Sequence, residues 1–165
     1  MRIGVVADTH LKASAAALPQ ALTEGLRGVD LIVHAGDFTD LGVAGLFAAI
    51  APLEAVAGNN DGEAVVTRFG RRKVLELAGY RIGLIHGDGV HKTTDRRAFD
   101  AFRDDRVDAI VFGHSHIPLR EKRDGVLLFN PGSPTDKRRQ ERYSFGLLTL
   151  SDAIRAEHVF YADKT

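Results

Sequence analysis

Short apolar runs that stop abruptly at polar residues set the pattern of this chain. Ile3 to Ala7 is rich in valine and isoleucine and ends at Asp8, which reads as a buried strand feeding a polar loop. Leu31-Ile32-Val33-His34-Ala35 repeats the arrangement before Gly36-Asp37, and Leu53 to Ala57 repeats it before Gly58-Asn59-Asn60-Asp61-Gly62. Residues 18–27, with Pro19 in the first turn and Gly28 past the end, read as a helix, as does the Ala-rich stretch 41–50. Strand, helix, strand, helix, strand predicts βαβ units and a parallel sheet.

The second half changes style. Residues 73–77 and 81–85 flank Ala78-Gly79-Tyr80, a tight glycine turn that predicts a hairpin. The second hairpin strand runs into His86-Gly87-Asp88-Gly89. Residues 94–104 read as an amphipathic helix with Ala98, Phe99, Ala101 and Phe102 on its apolar side. Val107 to Phe112 is another buried strand, ending at Gly113-His114-Ser115-His116, and further strands are expected near 117–122, 125–129, 143–150 and 154–161. With no internal repeat, low-complexity tract or linker, residues 1–165 read as one α/β domain with a parallel half and a more antiparallel half.

Composition narrows the field. The 22 acidic and 22 basic residues cancel, so the chain carries no overall electrostatic footprint for long nucleic acid. It has no cysteine, which excludes thiolate metal sites, redox switches and cysteine nucleophiles together. The apolar run after Met1 is too short for a leader, and no stretch of about 18 apolar residues exists. The expectation is a cytoplasmic globular protein.

The candidate chemistry lies at the strand ends. Asp8 and His10 follow the first strand, Asp37 the second and Asn59 the third, while His86, His114 and His116 follow the strands at 81–85 and 107–112. In open α/β sheets, ligands bind outside the carboxyl ends of the strands, so these seven side chains are expected along one edge. Each piece has a plainer reading: Gly-Asp after a strand is often only a turn, and Gly-Asn-Asn-Asp is good loop chemistry by itself. Gly-His-x-His is more suggestive, since alternate residues of an extended segment share a face. Their joint occurrence is what points to a metal centre. Imidazoles, carboxylates and an amide oxygen suit divalent transition ions, with Mn²⁺ ranked first and Fe²⁺, Zn²⁺, Ni²⁺ or Co²⁺ also suited; four histidines disfavour calcium.

The series Asp8-x-His10, Gly36-Asp37, Gly58-Asn59, His86 and Gly113-His114-x-His116 resembles the calcineurin-like metallophosphoesterase superfamily. Asn130-Pro131-Gly132-Ser133 further resembles its small bacterial and archaeal phosphodiesterase branch. The resemblance implies a four-layer α/β/β/α sandwich of two mixed β-sheets flanked by helices. It implies one ion held by Asp8, His10, Asp37 and His116 and a second held by Asp37, Asn59, His86 and His114, with Asp37 bridging. It implies hydrolysis of phosphoric esters, most readily small phosphodiesters, by water activated between two ions, with Asp37, Asn60 and Asp61 as the catalytic set. A homodimer or homotetramer is compatible with it.

Two departures stand out. Where phosphatases of the superfamily usually place a proton-donating histidine after the ligand asparagine, this chain has Asn60, which holds no titratable proton. Preference for activated or diester substrates is expected. Relatives often read His-Gly-His where this chain reads His86-Gly87-Asp88, and Asp88 is read as an acceptor behind a ligand histidine or as a turn, ahead of a substrate-side role. Asp61 either orients the site loop or caps residues 63–69, and His34 is read as a core or supporting residue. His91 and His158 receive no role. The run Lys137-Arg138-Arg139-x-x-Arg142 reads as a solvated face, with guidance of an anionic substrate as the alternative; Arg71-Arg72-Lys73 reads as surface. Two other functions compete: a non-catalytic scaffold of the same fold, which should lack ligands, and a nuclease on short oligonucleotides.

Overall fold

The computed structural model describes residues 1–12, 14–15 and 17–165. Its first half alternates β1 (Arg2–Val6), α1 (Gln20–Gly25), β2 (Leu31–His34), α2 (Leu41–Ala48) and β3 (Leu53–Ala55), and then α3 (Glu63–Phe69). A hairpin follows, β4 (Arg72–Leu77) and β5 (Tyr80–Ile85), then α4 (Thr94–Ala101) and β6 (Ala109–Val111). The chain closes with β7 (Leu119–Arg123), β8 (Val126–Asn130), β9 (Tyr143–Leu150) and β10 (Ile154–Tyr161). The hairpin turn is the two-residue kind, with Ala78 and Gly79 both left-handed at φ 50° and 85°, the twist that suits antiparallel strands.

These strands form two five-stranded sheets, ordered β10-β9-β1-β2-β3 and β4-β5-β6-β8-β7. Along the chain the expected order holds: β1, β2 and β3 pair in parallel, and most of the later pairings are antiparallel. Both sheets are mixed: β1, β2 and β3 are parallel, with β9 antiparallel beside β1 and β10 antiparallel to β9, and β5, β6 and β8 are parallel between antiparallel β4 and β7. The last two strands return to the first sheet because β1 has one open edge once β2 has paired with the other.

Side-chain alternation sorts the core into three seams and so fixes four layers. Ile3, Val5 and Ala7 of the first strand meet Ile82, Leu84, Ala109 and Val111 between the sheets. Val6 and Ile32 face the other way, onto Leu22, Leu26, Val43, Phe47 and Val65 of the α1–α3 layer. On the far side Ile110, Phe112 and Leu128 pack against Ala98 and Phe102 of α4. The result is the α/β/β/α sandwich expected of the resemblance. No described helix is long and apolar enough to cross a membrane.

What matters for the site is that pairing outlasts the strands. Beyond the β1–β2 ladder, Ala35 N donates to Val6 O (2.8 Å), Asp8 N to Gly36 O (2.9 Å) and His10 N to Asp37 O (3.1 Å). In the second sheet Gly113 N donates to His86 O at 3.0 Å. The first polar residues after four strands are therefore delivered at matching heights.

Candidate metal centre

Five of the seven nominated side chains converge. Asp37 Oδ2 lies 3.3 Å from both His10 Nε2 and His86 Nε2. Asp8 Oδ1 lies 3.6 Å from His116 Nε2 and 3.8 Å from both His10 Nε2 and His86 Nε2. Ligand atoms of Asp8, His10 and His116 form one compact group and those of Asp8, Asp37 and His86 another, each within 4.8 Å. Asn59 and His114 sit at the more exposed rim, where Asn59 Oδ1 and His114 Nδ1 are 3.2 Å apart, and the His114 ring meets His86 edge-on with centroids 5.2 Å apart.

Whether this donor set fits metal ions can be judged from its unmet needs. Asp8 Oδ1 and the Nε2 atoms of His10, His86 and His116 are buried without a hydrogen-bond partner among the described residues. Buried polar atoms are rarely left so, and here they face one another. The tautomers agree. The Nδ1 atoms of His86 and His116 lie 2.8 Å from Ala35 O and 2.5 Å from Asp136 O. A carbonyl can only accept, so each Nδ1 carries the proton and a neutral ring presents a bare Nε2 lone pair to the centre. The residues present fit divalent ions.

The backbone is bent to make this possible. Asp8, His10, Asp37, His114 and His116 all adopt left-handed φ, between 44° and 70°, a region that costs L-residues about 1 kcal/mol or more. Several groups hold them there. Asp61, buried, accepts from Asp37 N (2.8 Å), Gly58 N (2.8 Å) and Thr39 N (2.7 Å). It is a clamp on the Asp37 loop; the cap position of α3 falls to Gly62, so the capping reading of Asp61 is corrected. Fully buried His34 takes Gly36 N–H at Nδ1 (3.1 Å), which leaves its Nε2–H for Thr9 Oγ1 at 3.2 Å. Gly58 is obligatory for a different reason: a Cβ there would stand 2.1 Å from Asp37 Oδ1.

Electrostatics follow from this crowding. Burial alone would raise the Asp37 pKa, but the close approach and charge of His86 and the hydrogen bonds from Asn60 outweigh it and hold the carboxyl well below the usual range. Burial would lower His86, yet Asp37 and Asp8 push it up to about 9. His10 is raised by the same carboxylates against its burial. His34 is driven well below 6.5 by burial and by His86, which keeps it neutral for its two hydrogen bonds. His114 is lowered by burial and by the charge of His86.

Asn60 donates twice to Asp37, from N to Oδ1 (2.9 Å) and from Nδ2 to Oδ2 (2.8 Å). Asp88 is exposed. The Nδ1 atoms of His86 and His116 are turned to the carbonyls named above, so neither of these rings takes Asp88 as its acceptor. The basic run lies beside the site: it follows Asp136, whose carbonyl receives His116. Lys137 and Arg142 lie over the rings of Tyr143 and Phe160. His158 bonds Asn130 O and stacks on Phe129, as a packing residue.

Sequence reasoning missed a strap across the centre. Ser133 Oγ donates to Asp8 O at 2.7 Å, Thr135 Oγ1 to Thr9 O at 2.5 Å, and Asp136 O fixes the His116 ring. Asn130 Nδ2 reaches Gly113 O (3.0 Å) and Ser115 Oγ (3.1 Å). Asn130-Pro131-Gly132-Ser133 was the only local signal for it.

Comparison with known proteins agrees with this geometry. Residues 1–153 match the calcineurin-like phosphoesterase superfamily domain. The chain is 39% identical over 158 residues to a probable metallophosphoesterase of Methanocaldococcus jannaschii, covering 95% of this chain and 80% of that one. It is 28% identical over 146 residues to a phosphodiesterase of the same organism, covering 80% and 83%. Among solved structures, zinc-complexed Vps29 from Entamoeba histolytica superposes with a TM-score of 0.77 at 23% identity, covering 97% and 99%; at that identity the likeness is one of fold. The chain is thus a member of the calcineurin-like phosphoesterase superfamily.

Proposed function

We propose that the protein is a metal-dependent phosphodiesterase whose ions are held by Asp8, His10, Asp37 and His116 on one side and by Asp37, Asn59, His86 and His114 on the other. The observation that carries this reading is the set of four buried, partnerless polar atoms facing one another at the strand ends. When bound, two divalent ions, Mn²⁺ first among them, supply activation of water and positive charge for the phosphoryl oxygens. The chain's own residues do the rest. Asp8 and Asp37 bring two negative charges that offset those of the ions, and Asp61 and His34 hold the Asp37 loop at fixed height. Nδ1 hydrogen bonds aim His86 and His116.

Asn60 supports the diester preference. It donates to both Asp37 oxygens and offers no proton to a departing alkoxide, a contribution typically worth about 10²–10⁴-fold. Poor leaving groups should suffer most. Turnover of an aryl diester is expected to exceed that of glycerol phosphate; comparable rates would overturn this preference.

The deciding measurement is hydrolysis of bis(p-nitrophenyl) phosphate by metal-stripped protein, with Mn²⁺, Ni²⁺, Zn²⁺ or Mg²⁺ returned one at a time. Turnover should depend on the ion and vanish in Asp37→Ala. A folded protein with no turnover under any ion would favour the scaffold reading instead.

A further inference from the structure

Beside the polar centre lies an apolar groove that none of its chemistry uses. It is a cavity of ≈480 Å³ running from Ser115, between His114 and His116, to the first turn of α4. Phe112 forms its buried floor and Ile117 and Leu119 its wall, with Thr93 and Thr94 opposite. Among the described residues, the exposed large apolar side chains are Met1, Leu41, Val90, Ile117 and Phe160. Leu41, Val90 and Ile117 stand on the segments that follow Asp37, His86 and His116. Of these, Ile117 also lines the groove, so an exposed apolar side chain and the groove wall coincide.

The charges in the groove are already engaged. Arg97 donates to the carbonyls of Gly87 (2.8 Å), His91 (3.0 Å) and Lys92 (2.6 Å), which fixes the loop after His86 as a wall. Lys92 is tied to Asp100 and Asp95 to Arg123, both at 2.7 Å. Among the described residues that line the groove, both cations, Lys92 and Arg97, already have partners. What remains is apolar surface with threonine hydroxyls, wide enough for a ring. The groove meets the centre through Ser115, which lines it and lies between His114 and His116 in the chain.

We propose that this groove receives the uncharged, apolar alcohol portion of the phosphodiester, making Ile117 and Leu119 specificity-determining residues. This rests on the phosphodiesterase reading above. The ligand chemistry it selects is an aryl or similarly bulky apolar ester, in preference to a small alkyl or a charged one.

Phosphonates test it without turnover. Benzylphosphonate, as its methyl monoester, mimics methyl phenyl phosphate with CH₂ in place of the aryl ester oxygen, and ethylphosphonate, as its methyl monoester, mimics dimethyl phosphate. Titrated calorimetrically into the full chain loaded with Mn²⁺, benzylphosphonate should bind about tenfold more tightly, the worth of a partly buried ring. Ile117→Ser, at a position already 52% exposed, should weaken the benzyl compound about fivefold and the ethyl compound less than twofold, and Leu119→Ser should act alike. Equal affinities in the parent protein, or equal losses for both ligands in both variants, would overturn the groove while leaving the centre intact. Absence of binding by either phosphonate would overturn the phosphodiesterase reading and the groove with it.

Discussion

At the carboxyl ends of β1, β2, β5 and β6 the backbone turns through left-handed residues and leaves four buried polar atoms unpaired. At the opposite end, an open cavity of ≈800 Å³ is lined by Tyr80, Asp108, Arg120, Lys122, Arg155 and Glu157 among others. That cavity exceeds the ≈480 Å³ groove beside the centre, and it is chemically quiet. Tyr80 donates to Ser151 O and Arg120 to Ala156 O, Asp108 accepts from Arg81 N, and the charged side chains there are exposed to water. Size therefore does not locate function in this fold. Unmet demand does: a buried donor or acceptor without a partner marks where something else is meant to bind.

Four substitutions or conditions sharpen the contrast, taken from the largest effect down. Gly58→Ala should cost about a hundredfold or more in metal-dependent turnover, because its Cβ would displace Asp37 and misplacement by about 1 Å is that costly. Steady-state kinetics on bis(p-nitrophenyl) phosphate reads it, and parent-like turnover would show that the Asp37 position is not critical.

Next comes pH. In metal-stripped protein the raised His86 pKa contributes stability that is fully present below its ordinary value of 6.5 and is lost as pH rises through about 9. Asp37 works in another window, its contribution being lost only as pH falls through the acid range. Denaturant unfolding should thus show a loss of about 2 kcal/mol between pH 6.5 and 9.5, much reduced in His86→Gln. An equal loss in that variant would assign the effect elsewhere.

Asp61→Asn should weaken ion binding about tenfold, the usual worth of a group that orients a ligand, since an amide cannot accept all three backbone hydrogen bonds equally well. Competition with a metallochromic chelator measures this, and unchanged affinity would reduce Asp61 to loop packing. Last, Arg155→Ala at the large cavity should change turnover by less than about twofold and stability by less than about 0.5 kcal/mol. A tenfold loss there would break the comparison.

Much of this was legible in the sequence, because period and punctuation are local. Runs such as Ile3–Ala7 and Val107–Phe112 announce buried strands, and the polar residues just beyond them announce one sheet edge. Partnership is not local. Nothing in residues 143–161 says that β9 joins β1 across Ile3↔Leu148, because the same alternation would serve either sheet. The strap was hidden for a related reason: Ser133 and Thr135 act on Asp8 and Thr9, 125 and 126 residues away, and hydroxyls carry no signature of what they will bond. His34 looked like a strand residue and is one, yet its role rests on a stack with Phe38 at 3.6 Å and on the Gly36 amide, contacts that only the folded loop creates.

The left-handed residues of the centre have a consequence for the protein's life in a cell. Conformations held against their preference draw on the stability of the whole domain, and an ion that binds only the folded chain returns it by mass action, about 2.7 kcal/mol when present at a hundred times its dissociation constant. Folding and metal supply then become a single equilibrium. If the proposed ions are bound, copies made where divalent ions are scarce would open more often and meet proteases more often, and the abundance of the protein would register the metal available to it.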